Sequence, residues 1–198
     1  MDRFITIEIS PQITITDRLI AATVLKILPP IVSPNSITAF RFVTIPFVIY
    51  LLVTNQYFWG TVLFVISAFS DAVDGALART KGLITDWGKV YDPFADKLLI
   101  GSVAVIVVSE FIGRKLALII IVLELLIIVG AFWRKHFRGV QIQAGWAGKV
   151  KMIFQSGGLG VLLLGVTFGA PFLVSVAAYI LYASVAFAVL SLLVYKSI

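Results

Sequence analysis

Apolar runs about the length of a bilayer crossing, separated by short polar breaks, follow one another along the chain. Six stretches, about 35–54, 57–80, 88–110, 113–135, 146–168 and 171–195, each approach the roughly 20 residues that a helix needs to cross the hydrocarbon layer. Polar positions inside these runs recur at the helical spacings of three and four, which places them on one face. In the first run, Asn35, Thr38 and Arg41 share a face. The second carries Asp71 and Asp74 near its end, and the third carries Asp92 and Asp96 near its start. The two runs therefore form a hairpin with all four acids at one side of the membrane, joined by the polar loop TKGLITDW.

Upstream, the pattern over 14–28 is helical: Arg18, Ala22 and Lys26 fall on one face, and Val24, Ile27 and Leu28 lie largely opposite. Fifteen residues with two positive charges are too short and too polar to span, so this segment reads as an amphipathic helix lying in the interface. Pro29, Pro30 and Pro34 then end it and redirect the chain. Residues 1–13 have neither a basic start nor a cleavage site, and are not expected to act as a signal peptide. The expected fold is an all-α integral membrane protein: an N-terminal segment (1–34) with the interfacial helix, then a six-helix membrane domain (35–198).

Composition agrees. Of 198 residues, 60% are hydrophobic, and the mean hydropathy is +1.06, far outside the soluble range. The absence of cysteine removes disulfides, thiolate metal sites and a cysteine nucleophile. A net charge of +6 raises the question of nucleic acid. The basic residues flank apolar spans, however, so anionic lipid headgroups and phosphate-bearing substrates are the expected partners, and nucleic acid is not. Lys and Arg also set the orientation. The N-terminal segment, 79–89, 134–151 and Lys196 hold nearly all of them, whereas the opposite connections hold only Arg114 and Lys115. Both termini and the acidic hairpin are thus expected on the cytoplasmic side of the cell's inner or plasma membrane.

Charges at bilayer depth cost on the order of 3 kcal/mol each, so they persist mainly where they have a task. The stretch from Asp71 to Asp96 holds five aspartates. Four clustered carboxylates cannot all stay ionised in a weakly polar pocket without compensating charge. Mg²⁺ or Mn²⁺ suits a shell of carboxylates and water. Two such ions roughly 3.5–4 Å apart stabilise the attacking and leaving oxygens of a phosphoryl displacement. The competing readings are structural ion pairs, an ion or proton path through a transporter, and a non-catalytic scaffold. A transporter is expected to place its charges near the midplane on broken helices, and a scaffold needs no aligned acids.

The stretch resembles the signature of the CDP-alcohol phosphotransferase family: D-x-x-D-G-x-x-A-R, eight residues, then G-x-x-x-D-x-x-x-D. Asp71, Asp74, Gly75, Ala78, Arg79, Gly88, Asp92 and Asp96 meet every fixed position. The opening of the first span is similar to the family's P-N-x-x-T-x-x-R. The resemblance implies a metal-dependent enzyme of phospholipid biosynthesis that places the pyrophosphate of a CDP-activated lipid, CDP-diacylglycerol first, against the metals. An acceptor hydroxyl attacks the lipid-bearing phosphorus and CMP leaves. It implies Asp71, Asp74, Asp92 and Asp96 as metal ligands, and Asp96 also as the general base. Asn35, Gly75, Ala78, Arg79 and Gly88 are implied at the CDP site: the small residues make room for cytidine and ribose, and Arg79 meets the pyrophosphate.

The second basic cluster, WRKHFRGVQIQAGWAGKVK, places Arg134, Arg138, Lys149 and Lys151 beside the acids at the same membrane face. With Arg41 they are the candidates for binding an acceptor's phosphate by charge-assisted hydrogen bonds. DPFADK and GKVK, followed by Gln155, resemble the branch that uses glycerol 3-phosphate. That branch often carries an Arg-Glu pair in its fourth helix, where Leu123 precedes Glu124 here. Inositol phosphate, serine and other polyol phosphates therefore stand as alternatives. Glu124 is expected to pair with Arg41, Lys97 or Arg134. Gly157, Gly158 and Gly160, with the Gly165 and Gly169 pair, permit close helix approach within or between subunits, and a homodimer is expected.

Overall fold

The computed structural model describes residues 33–81, 86–138 and 145–194, with Ile20, Ala22 and Thr23 ahead of them. The interfacial helix expected over 14–28 falls outside the described residues apart from those three positions. Six helical rods follow one another: α1 (Pro34–Val53), α2 (Tyr57–Lys81), α3 (Asp86–Val103) continued by a π-helical segment (Ala104–Gly113), α4 (Arg114–Arg138), α5 (Trp146–Thr167) and α6 (Pro171–Val194). Their bounds follow the hydropathy pattern closely. The polar connection between α2 and α3 is shorter than its composition suggested, since Lys81 still belongs to α2 and Asp86 already opens α3.

Among the described residues, four helices are long and apolar enough to cross a membrane: Pro34–Val53, Tyr57–Thr80, Trp146–Thr167 and Pro171–Leu193. The protein is an all-helical integral membrane protein. The connections at one end are tight. Asn55 (φ 60°) and Gly169 (φ 60°) adopt left-handed conformations in two of them, and Gly113 (φ 147°) closes the π-helical segment ahead of α4. Asparagine and glycine are the residues that take such φ values at least cost.

Each rod buries one face and turns a large apolar face outward. On α1, Phe40, Val43, Phe47 and Tyr50 are exposed, while Thr38, Arg41, Thr44, Val48 and Leu52 point inward. The inward face is polar at the N-terminal end and apolar toward the C-terminal end. This gradient divides the interior. A hydrophobic core between α1, α3 with its π segment, α5 and α6 is built on Val48, Leu99, Val103, Val107, Leu159 and Leu181. The opposite end of the bundle is left to polar side chains. There a small cluster of Ile37, Val73 and Leu77, against which Ile20 packs, closes the gap between α1 and α2.

The most extensive pairing joins α5 and α6, and glycine makes it possible. A Cβ at Gly158 would stand 2.9 Å from Leu181 Cδ2, and one at Gly165 would stand 3.0 Å from the backbone nitrogen of Val174. Gly158 and Gly165 serve close approach inside one chain, and Gly169 serves a turn. Gly157 and Gly160 meet no heavy atom within 4 Å at the Cβ position. Gly165→Ala is expected to lower stability by about 1–3 kcal/mol, the usual cost of overpacking against backbone that cannot yield. Gly157→Ala should leave it unchanged or slightly raised, and thermal unfolding of both in detergent checks the contrast.

Candidate active site

The acids lie where α2 ends and α3 begins, at the polar end of the bundle. Asp71 and Asp74 are one helical step apart on α2, and Asp92 and Asp96 likewise on α3. Asp74 is 3% exposed, whereas the Asp71 side chain is 47% exposed. Asp74 interacts electrostatically with Asp71 and Asp92, and Asp96 with Asp71. The hairpin thus brings the four signature aspartates within electrostatic reach of one another at one end of the bundle.

Their side chains do not close on a single point. Among the described residues, no group of three acidic or histidine side chains is arranged to hold a metal ion. Each of three acids instead has a nearer partner on α1. Arg41 Nη2 donates to Asp74 Oδ2 at 2.6 Å, and Nη1 approaches Asp71 Oδ1 at 2.8 Å, off the hydrogen-bonding direction. Arg41 Nε donates to Ser70 Oγ at 3.4 Å. Thr38 Oγ1 donates to Asp92 Oδ1. Like charges brought together turn to the nearest cation or donor, and the inward face of α1 supplies both.

Arg41, expected to bind the acceptor's phosphate, faces carboxylates in this arrangement. It is fully buried, and its guanidinium is committed to two carboxylates. The spacing of Thr38 and Arg41 put both on one face of α1, and that face meets the acids, but the spacing did not disclose which acid each one meets. The Thr38–Asp92 contact went unforeseen, and the three-residue spacing of Thr38 from Arg41 was its only trace in the sequence.

The remaining signature positions surround these acids. The Arg79 guanidinium folds back over Gly75, where a Cβ would stand 3.0 Å from Nη2. Ala78 and Arg79 are half-buried, and so is Asn35 near the start of α1. Gly88 lies in the first turn of α3. Four oxygen-donor side chains, with glycine beside them on each helix, fit a hard divalent cation in chemistry and in number. A cation bound there would take the carboxylates from Arg41 and Thr38.

The basic candidates separate. Lys149 is exposed on α5, whereas Lys151 is buried, because residues two apart on a helix point in different directions. Lys151 Nζ donates to Glu124 Oε1. The direct partner of Glu124 is thus Lys151, which was not among the expected partners Arg41, Lys97 and Arg134, although Lys97 also interacts with Glu124 electrostatically. The α4–α5 packing, unreadable from sequence spacing, brings α5 to Glu124 first. Arg134 and Arg138 belong to the last turns of α4, and their side chains lie outside the described ones. Lys97 and the Glu124–Lys151 pair are close enough to interact electrostatically with Asp96, so the basic cluster adjoins the acidic one.

An all-helical membrane bundle with this signature at one end defines the class. The sequence profile of the CDP-alcohol phosphatidyltransferase family matches residues 31–190, and the chain belongs to that family. Among its relatives, the CDP-diacylglycerol–glycerol-3-phosphate 3-phosphatidyltransferase of Rickettsia typhi is 30% identical over 135 residues, 67% of this chain and 76% of the relative. The enzyme of the same name from Bacillus subtilis is 32% identical over 147 residues, 66% of this chain and 76% of the relative. That from Escherichia coli is 33% identical over 137 residues, 66% and 75% of the two chains. Membership of a transferase family decides against the ion-coupled transporter and the scaffold.

Proposed function

We propose that this chain is an enzyme of phospholipid biosynthesis that transfers the phosphatidyl group of CDP-diacylglycerol to glycerol 3-phosphate and releases CMP. The observation that carries the reading is the meeting of the four signature aspartates at one end of a bundle whose family and relatives are named for this transfer. All six rods span the membrane in this reading. The α3–π rod and α4 complete the set, α4 with apolar residues from Leu116 to Gly130 interrupted by Glu124 alone. The basic loops place the acids and both termini on the cytoplasmic side. Gly157 and Gly160 leave a small-residue face on α5 for a homodimer.

In the reaction, the acceptor's hydroxyl oxygen bonds to the lipid-bearing phosphorus as the bond from that phosphorus to CMP breaks. Asp71, Asp74, Asp92 and Asp96 would hold Mg²⁺ or Mn²⁺, and the metal when bound would supply charge neutralisation for the pyrophosphate oxygens. Asp96 takes the proton of the acceptor hydroxyl. Arg79 contacts the pyrophosphate, and Gly75, Ala78 and Gly88 admit the cytidine and ribose beside Asn35. Lys151 binds the acceptor's phosphate, with Lys149, Arg134 and Arg138 supplying positive potential at the entrance.

The test is CMP release by purified protein with CDP-diacylglycerol and Mg²⁺, with glycerol 3-phosphate, inositol 1-phosphate or serine supplied separately. Release is expected with glycerol 3-phosphate and should vanish on chelation with EDTA and return with Mn²⁺. Equal release with all three acceptors, or release that survives EDTA, would contradict the reading.

A further inference from the structure

The Glu124–Lys151 pair joins the middle of α4 to the start of α5, and both side chains are nearly sealed from solvent, 12% and 8% exposed. It is not a finished ion pair. Among the described residues, Glu124 Oε2 and Gln155 Nε2 are buried without a hydrogen-bond partner. Gln155 follows Lys151 by one helical turn, is 2% exposed, and lines with it and Ser184 a pocket of about one water's size. A buried cation thus stands with an unused acceptor on its partner and an unused donor one turn along α5, within electrostatic reach of Asp96. Buried polar groups are ordinarily satisfied, and leaving one unpaired costs about 1–3 kcal/mol.

We propose that Glu124 is a specificity-determining residue: it occupies Lys151 as an internal anion, so that only an acceptor carrying a phosphomonoester displaces it. The inference rests on the transferase reading above and adds to it the basis of acceptor choice. A carboxylate brings one charge and two oxygens. A phosphomonoester brings about −1.5 to −2 charges and three oxygens at neutral pH. It therefore outbids Glu124 for the ammonium of Lys151 and also engages the free amide of Gln155. The carboxylate of serine offers Lys151 no more than Glu124 already does, and an unphosphorylated polyol offers no charge at all. Lys97, which also interacts with Glu124, compensates the released carboxylate, whose oxygens then accept from the acceptor's hydroxyls. Leu123, preceding Glu124, adds no second cation here, so the exchange depends on Lys151.

The full chain, purified in detergent with Mg²⁺, is titrated with inorganic phosphate, glycerol 3-phosphate and serine, and binding is read from the shift in unfolding temperature. Glu124→Gln is expected to bind inorganic phosphate about tenfold more tightly than the unmodified chain, the change that a close buried charge pair of modest strength provides. It should also acquire a response to serine. Glu124→Asp, whose shorter side chain weakens the pair, should show a smaller gain and carries the test if Glu124→Gln does not fold. Lys151→Met should abolish the phosphate response. Phosphate binding that is unchanged or weaker in both Glu124 variants overturns the proposal, because a carboxylate that merely keeps Lys151 charged would weaken binding when removed. CMP release by the unmodified chain, measured alongside, reports on the transferase reading alone. A tenfold gain in phosphate binding without CMP release would sink the reaction and still support the role of Glu124.

Discussion

Asp96→Asn is expected to lower acceptor-dependent CMP release by about 10²–10⁴-fold, the range that loss of a general base gives. The substitution keeps the shape of the side chain and removes both a proposed metal ligand and the only proposed proton acceptor. It should not unfold the protein. Asp96 interacts with the like charge of Asp71, so a neutral amide relieves repulsion and the unfolding temperature should hold or rise. Loss of activity together with loss of stability would mean that Asp96 is a structural residue. Full activity would move the proton-accepting role elsewhere in the cluster.

Arg41→Met carries the largest expected effect on stability, a loss of about 3–5 kcal/mol. Arg41 is fully buried and holds Asp74, itself 3% exposed. Removing the cation leaves a carboxylate sealed from water with no opposite charge, the costly way to break a buried pair. Arg41→Lys should retain part of the stability, since a single ammonium cannot reach Asp71, Asp74 and Ser70 in the fork that the guanidinium spans. Excess Mg²⁺ should restore much of the loss in Arg41→Met, because a cation held by Asp71 and Asp74 supplies the missing charge. Thermal unfolding of the three forms, each with Mg²⁺ and with EDTA, measures this. An Arg41→Met protein as stable as the unmodified chain in EDTA would contradict the buried pairing.

The helices and the acidic cluster were legible along the chain because both are local patterns. Hydrophobic length marks a membrane helix without reference to any neighbour, and the bounds of α1, α2, α5 and α6 lie within one or two residues of the apolar runs that foretold them. The spacing of Asp71 with Asp74, and of Asp92 with Asp96, fixes a shared helical face in the same way. A polar connection of a few residues between the two helices then forces the faces toward one end. Partner choice is a different matter. Whether Arg41 faces a phosphate or a pair of aspartates depends on how α1 rotates against α2, and no periodicity within α1 encodes that angle. Lys149 and Lys151 looked alike as a basic pair, and the rotation of α5 buries one and exposes the other. The glycines of α5 illustrate the same limit: spacing alone cannot say that Gly158 and Gly165 face α6 while Gly157 and Gly160 face outward.

What the sequence alone determined is a helical membrane protein with its acids at one end of the bundle and a family signature that names the chemistry. Its physical basis is short-range: burial in lipid demands long apolar helices, and helical geometry sets which residues share a face. The tertiary structure alone decided the ion pairs, Arg41 with Asp71 and Asp74, and Lys151 with Glu124. A charge in a low-dielectric interior takes the nearest opposite charge, and which one is nearest is settled only when the helices pack.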